Sequence, residues 1–82
     1  MEEFLNAAER VKVLENKPSD DVLLQLYGLY KQSTVGDINI PRPSFWDVKG
    51  VSKWEAWEQC QTIPKVKAMT NYVKLVKKLE HS

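Results

Sequence analysis

Tyr27, Tyr30, Lys31 and Lys53 are the residues of this chain whose types and spacing suit them to ligand chemistry. If residues 27 to 31 are helical, Tyr27, Tyr30 and Lys31 share one face, because positions three and four apart are neighbours on a helix surface. Two aromatic rings beside an ammonium can grip a flat base and an attached phosphate. Lys53 arrives on the next helical segment, after a polar loop containing Pro41 and Pro43. The two segments then read as the jaws of a ligand site. None of these residues forms a set for acid–base or nucleophilic catalysis. The one histidine, His81, is penultimate, and Cys60 has no histidine near it in the sequence. No glycine-rich phosphate loop, metal-ligand cluster or nucleophile elbow is present.

Four amphipathic stretches must position these side chains. Residues 2–15 place Phe4, Ala8, Val11 and Leu14 on one apolar stripe, with Glu2 and Glu3 at the positive end of the helix dipole. A second helix is expected over 20–35, capped by Ser19 and failing near Thr34-Val35-Gly36. Within it, Gly28 costs roughly 1 kcal/mol relative to alanine. Its presence implies close packing there, by either a neighbouring helix or a ligand. Residues 36 to 50 read as a long connection in which Phe45 and Trp46 pin the loop to the core. The third helix, about 51–61, carries Trp54, Trp57 and Cys60 as a core-facing ridge. The fourth, 64–80, has Thr62 as its cap candidate and a stripe of Ala68, Met69, Tyr72, Val73, Val76 and Leu79. With no convincing strand, the fold class is all-α, a four-helix bundle with a long loop between helices 2 and 3.

Composition narrows the function classes. The 82 residues allow one domain, 1–82, and a 43% apolar, 28% charged balance argues against disorder. A net charge of +1 argues against a general nucleic-acid or membrane-surface binder. The single cysteine excludes an internal disulfide and suits a reducing compartment. No apolar run approaches the roughly 20 residues of a membrane span, and the acidic start is unlike a signal peptide. A cytoplasmic, monomeric domain is the expectation.

The run Tyr-Gly-Leu-Tyr-Lys-Gln-Ser-Thr-Val-Gly-Asp from Tyr27, then Arg42-Pro43, Lys53-Trp54-Glu55-Ala56-Trp57 and Ala68-Met69 with Tyr72, resembles the acyl-CoA-binding protein family. The resemblance extends from Phe4 to Leu79. It implies a four-helix carrier of medium- to long-chain acyl-CoA that catalyses nothing and needs no cofactor or metal. Residue by residue, it implies that Tyr27, Tyr30 and Lys31 contact the adenine nucleotide and that Lys53 reaches a phosphate. Lys12 falls where the family has a basic residue near the nucleotide. Tyr72 matches a tyrosine of the last helix, and Leu23 and Leu24 fall where apolar residues line the acyl groove. One of Phe45 and Trp46 could instead lie against a lipid chain. Acyl-CoA-using enzymes and membranes would be transient partners. A peroxisomal or membrane-tethered setting would follow if the chain is part of a larger enzyme or anchored protein.

The chain departs from the family pattern at Ser44, Phe45-Trp46, Val51, Thr62 and Pro64. Val51 stands where a second basic residue often precedes the Lys-Trp pair, and Lys49 is the substitute at hand. A helical protein-interaction module is the rival reading. It accounts for an apolar groove but not for Tyr27, Lys31 and Lys53 together. A DNA-binding module is disfavoured by the charge balance.

Overall fold

The computed structural model describes residues 1–81. Each helix forms where local chemistry starts it and stops where that chemistry changes. α1 (Glu2–Arg10) buries Phe4 and Ala7, then tightens into a 3-10 turn over Val11–Val13. This first helix is thus shorter than the 2–15 expected. Two β-branched valines occupy its closing turn, and Leu14 already has an extended backbone. The buried stripe is Phe4 and Ala7, with Ala8 and Val11 packed beside it.

α2 (Asp20–Thr34) begins as expected, with the Ser19 hydroxyl accepting from the Val22 N–H at 3.3 Å and Asp20 and Asp21 in the first turn. It closes at Gly36, whose φ of +100° suits a glycine and whose N–H donates to the Lys31 carbonyl. α3 (Val48–Glu58) starts three residues earlier than the expected 51. Gly50 reads as loop in the sequence, but the Asp47 carboxylate accepts its N–H at 3.0 Å and caps the helix from within the supposed connection. α3 also ends before 61, in turns closed by the Cys60 and Gln61 N–H groups.

α4 (Lys65–Glu80) follows Pro64. Thr62 is not its cap. It sits in the left-handed region at φ 72°, where a β-branched residue is strained, and its N–H donates to Asp37.

α2 lies against both α4 and α3, and α1 lies against α4, giving a slab about 15 Å thick in its shortest dimension. The core runs through Phe4, Ala7, Leu26, Tyr72, Val73 and Val76. Ion pairs fasten both ends of α1 to the last turn of α4: Arg10 to Glu80 at 2.8 Å and Lys77 to Glu3 at 3.3 Å.

On the other side, α2 and α3 approach so closely that a Cβ at Gly28 would stand 2.3 Å from the Ala56 carbonyl oxygen and 3.3 Å from Cys60 Sγ. A neighbouring helix therefore demands the glycine. Any side chain there forces two backbones apart, which costs more than the helical propensity it restores.

The loop between α2 and α3 is held by tryptophans, though not by Trp46. Trp57 Nε1 donates to the Gly36 carbonyl and Trp54 Nε1 to the Ile40 carbonyl, each at 2.8 Å. Arg42 bonds Glu55 at 2.9 Å and lies 5.6 Å from the Trp54 ring centre. Phe45 and Trp46, expected to be anchors, are 76% and 80% exposed. With the indoles of α3 already securing the loop's first half, the turn just before α3 has no need of them.

Candidate functional site

α2 presents Tyr27, Tyr30 and Lys31 along one strip of surface, and that strip lies between two walls. On the α3 side, the Lys53 ammonium stands 5.5 Å from the Tyr27 ring centre and the Lys31 ammonium 4.8 Å from that of Trp57. On the α1 and α4 side, Tyr30 stacks on Phe4 at 5.7 Å and tilts toward Tyr72 at 6.2 Å, while Phe4 meets Tyr72 edge-on at 5.1 Å. The expected cluster of Tyr27, Lys31 and Lys53 is therefore assembled at the α2–α3 junction. Tyr30 and Tyr72 belong to an aromatic group that ties three helices together.

These positions differ in what they can offer a ligand. Lys31 and Lys53 make no ion pair among the described residues. Arg10, Lys12, Arg42 and Lys77 are all matched to carboxylates. An ammonium resting over a ring gains about 0.5–1 kcal/mol at an exposed site. A charge-assisted bond to a phosphate is worth roughly 1.5–3 kcal/mol. Both lysines are thus free to leave their rings for an anion.

Tyr30 is 40% exposed, so part of its ring is accessible, but Tyr72 is buried. Burial and the neighbouring Tyr30 push the Tyr72 hydroxyl above its ordinary pKa, and it stays neutral. Lys12 stands apart on the 3-10 turn, its amine 3.4 Å from Glu9. Leu23 and Leu24, neighbours in the chain, point differently. Leu23 packs on the core, whereas Leu24 lines a cleft of about 620 Å³ between α2 and α3. Ser52, Glu55 and Ala56 of α3, with Gln59 and Cys60 just after it, form the far side of that cleft, and Asp21, Gln25 and Leu29 join Leu24 on α2. The cleft lies beside the tyrosine–lysine strip and does not include Tyr27 or Lys31 among its lining residues. Ser52, adjacent to Lys53, connects the two regions.

Two residues that position the site lie within the quoted motifs, but their roles are not legible in the sequence. Trp57, read from the sequence as a core-facing residue, is buried and is also the platform beneath Lys31. Asp37 joins the end of α2 to the turn before α4. It accepts from the Gln32 amide and from the Thr62 N–H, each at 2.8 Å. Those two donors, Gln32 foremost, hold its carboxyl below the usual carboxylate range. This junction contributes fully above that range and is lost as pH falls through the lowered value.

Cys60 donates to the Ala56 carbonyl at 3.6 Å, and burial raises its thiol pKa, which leaves it a poor nucleophile at neutral pH.

Comparison with known proteins identifies the family and the fold. The family described as Acyl CoA binding protein matches residues 1–76. A protein from Hypsibius, provisionally described as acyl-CoA-binding, is 47% identical over 78 residues, spanning 95% of this chain and 88% of that one. Human enoyl-CoA delta isomerase 2 is 42% identical over 80 residues, which cover 98% of this chain but 20% of the isomerase. The crystal structure of Oryza sativa acyl-CoA-binding protein 2 superposes with a TM-score of 0.94 at 41% identity, over 98% of this chain and 87% of that one. That of the Moniliophthora perniciosa protein superposes at 0.89 and 36% identity, over 95% and 77%. The motifs along α2, α3 and α4, the all-helical fold and these matches agree, and the chain belongs to the acyl-CoA-binding protein family.

Proposed function

We propose that this chain is a non-catalytic carrier of medium- to long-chain acyl-CoA thioesters. In this reading it holds the nucleotide head on the Tyr27–Lys31–Lys53 strip and the acyl tail in the adjoining α2–α3 cleft. The observation that carries the proposal is the pair of lysines resting over Tyr27 and Trp57 without carboxylate partners, next to a cleft lined in part by Leu24 and Leu29. Tyr27 and the accessible part of Tyr30 offer faces to the adenine, where base stacking is worth about 1–3 kcal/mol. Lys31 and Lys53 take the phosphates. Tyr72 acts mainly through Tyr30, whose ring it orients. Lys12 joins at the edge by leaving Glu9, and Leu23 supports α2 from the core side while Leu24 faces the acyl groove.

The role that follows is buffering and delivery. A covered acyl chain is kept from partitioning into membranes and is handed to acyl-CoA-using enzymes by dissociation. A monomer working in the cytoplasm fits this task. A segment 42% identical to this chain makes up 20% of the human isomerase, which supports a second setting, as the acyl-CoA-binding part of a larger enzyme or anchored protein. The ligand site would be unchanged there.

Replacing Lys31 with alanine tests the assignment. Removing its phosphate bond is expected to lower CoA and acyl-CoA affinity by roughly 1.5–3 kcal/mol, about 10- to 150-fold by titration calorimetry. Thermal unfolding should change little, because the lost contact with Trp57 is weak. Unaltered affinity with an intact fold would remove Lys31 from the site and favour a groove for a partner helix.

A further inference from the structure

Along the outer side of α4 runs a row of cations that neither the core nor the ligand strip uses. Lys67, Lys74 and Lys78 share one helix face, about 10 Å and 6 Å apart along its axis. They are exposed, lie across the helix from the buried Tyr72 and Val76, and make no ion pair among the described residues. α4 carries five lysines against one glutamate, a charge of +4, in a chain whose net charge is +1, so the rest of the sequence is at −3. That glutamate, Glu80, is paired with Arg10. Local stability does not account for the row. Lys77 and Lys78 suit the negative end of the helix dipole, but Lys65 and Lys67 stand in the first turn, at its positive end. α1 and α2 place acids in that turn, and α2 and α3 add a side-chain cap, whereas α4 has neither. Lys74 and Lys78, four apart, also repel each other. The helix keeps cations where folding alone would favour acids.

We propose that this face is a docking surface for an acidic segment of a partner protein, held by complementary charge. Three unpaired ammonium groups in line match carboxylates spaced along one side of such a segment. Thr70 and Asn71, which share the face, leave nothing apolar between the lysines for a bilayer to bury, and a basic patch alone holds a membrane weakly. The net charge of +1 disfavours nucleic acid. A row this narrow falls well short of the roughly 800 Å² each partner gives to a stable interface. The contact is therefore transient, and its main effect is to speed encounter. α4 meets α2 through its opposite side, so the ligand strip and the α2–α3 cleft stay open while a partner sits on the row.

The test uses the whole chain without acyl-CoA, so its outcome is separate from that of the ligand assignment. The probe is a synthetic peptide with glutamate at every third and fourth position, and the same peptide with glutamine is the control. In amide spectra of the isotope-labelled chain, the glutamate peptide should shift Lys67, Asn71, Lys74 and Lys78 first. Raising salt from low to physiological should weaken it severalfold. The triple substitution Lys67→Glu, Lys74→Glu and Lys78→Glu should lower affinity at least about tenfold. The milder set Lys67→Gln, Lys74→Gln and Lys78→Gln should lower it less, and it keeps the test decisive if charge reversal disturbs the fold. The double substitution Lys31→Ala and Lys53→Ala should bind like the parent. Lys67→Glu alone should raise Tm while weakening binding, because it restores an acid to the first turn. A lysine serving only the fold would show a lower Tm instead. Equal binding of the two peptides, shifts centred on Lys31 and Lys53, or triple variants that bind like the parent would overturn the proposal. Tighter binding of phosphatidylserine vesicles through the same three lysines would overturn it too, assigning the row to lipid.

Discussion

Palmitoyl-CoA is expected to bind this chain orders of magnitude more tightly than palmitate or free CoA. The reason is that neither half of the ligand meets the cost of association by itself. Burying about 14 methylenes at about 0.8 kcal/mol each gives on the order of 11 kcal/mol as an upper limit. Two phosphate bonds and a stacked base add roughly 1–3 kcal/mol apiece. Against these stands an association cost of about 4–15 kcal/mol, while nanomolar affinity needs about 12 kcal/mol net. Palmitate carries its own carboxylate away from the strip of Tyr27, Lys31 and Lys53, and free CoA leaves the cleft beside Leu24 and Ala56 wet. Calorimetry with the three ligands under one buffer and salt checks this, because the phosphate contacts weaken as salt rises. Equal affinity for palmitate and palmitoyl-CoA would mean that the nucleotide contributes nothing, and the lysines would revert to ordinary surface charges.

The second large effect concerns stability. Phe4 is 1% exposed, and its ring contacts both Tyr30 and Tyr72. Phe4→Ala should cost about 3–5 kcal/mol, because a cavity opens where three helices meet. A chain of this size has only about 4–12 kcal/mol in total. A fall in Tm of roughly 12 °C or more is therefore expected in a calorimetric scan. Phe4→Leu keeps most of the buried volume and loses the ring contacts, worth about 0.5–1.5 kcal/mol each. It should fall between the parent and the alanine variant. A Phe4→Ala protein that melts with the parent would show that α1 adds little to the core, and the aromatic group would no longer account for how Tyr30 is held.

Much of this architecture is legible from local signals. Ser19 with Asp20 and Asp21 marks the start of α2. The spacing of Ala68, Tyr72, Val73 and Val76 marks the buried face of α4. Where the reading goes astray, a local rule is overridden by a contact that residue type alone does not reveal, once within a turn and otherwise across the fold. Gly50 suggests loop, yet its N–H is what Asp47 needs for a cap. Thr62 suggests a cap, yet it takes the left-handed turn that delivers its N–H to Asp37. Phe45 and Trp46 suggest burial from their size, but the carbonyls of Gly36 and Ile40 are secured by Trp57 and Trp54 instead. Gly28 illustrates the limit best. The sequence says that something comes close there, and only the helix crossing shows it to be Ala56. The site follows the same pattern. Tyr27, Lys31 and Lys53 are marked by residue type and motif. The platform under Lys31 depends on how α3 crosses α2, which Gly28 permits.

The central claim is that one continuous site takes the charged head and the apolar tail together. A crystal structure of the palmitoyl-CoA complex tests it most directly. The adenine should lie against the Tyr27 ring, the phosphates within hydrogen-bond reach of the Lys31 and Lys53 amines, and the tail between α2 and α3 along Leu24. A thioester bound anywhere else on the molecule would contradict the account.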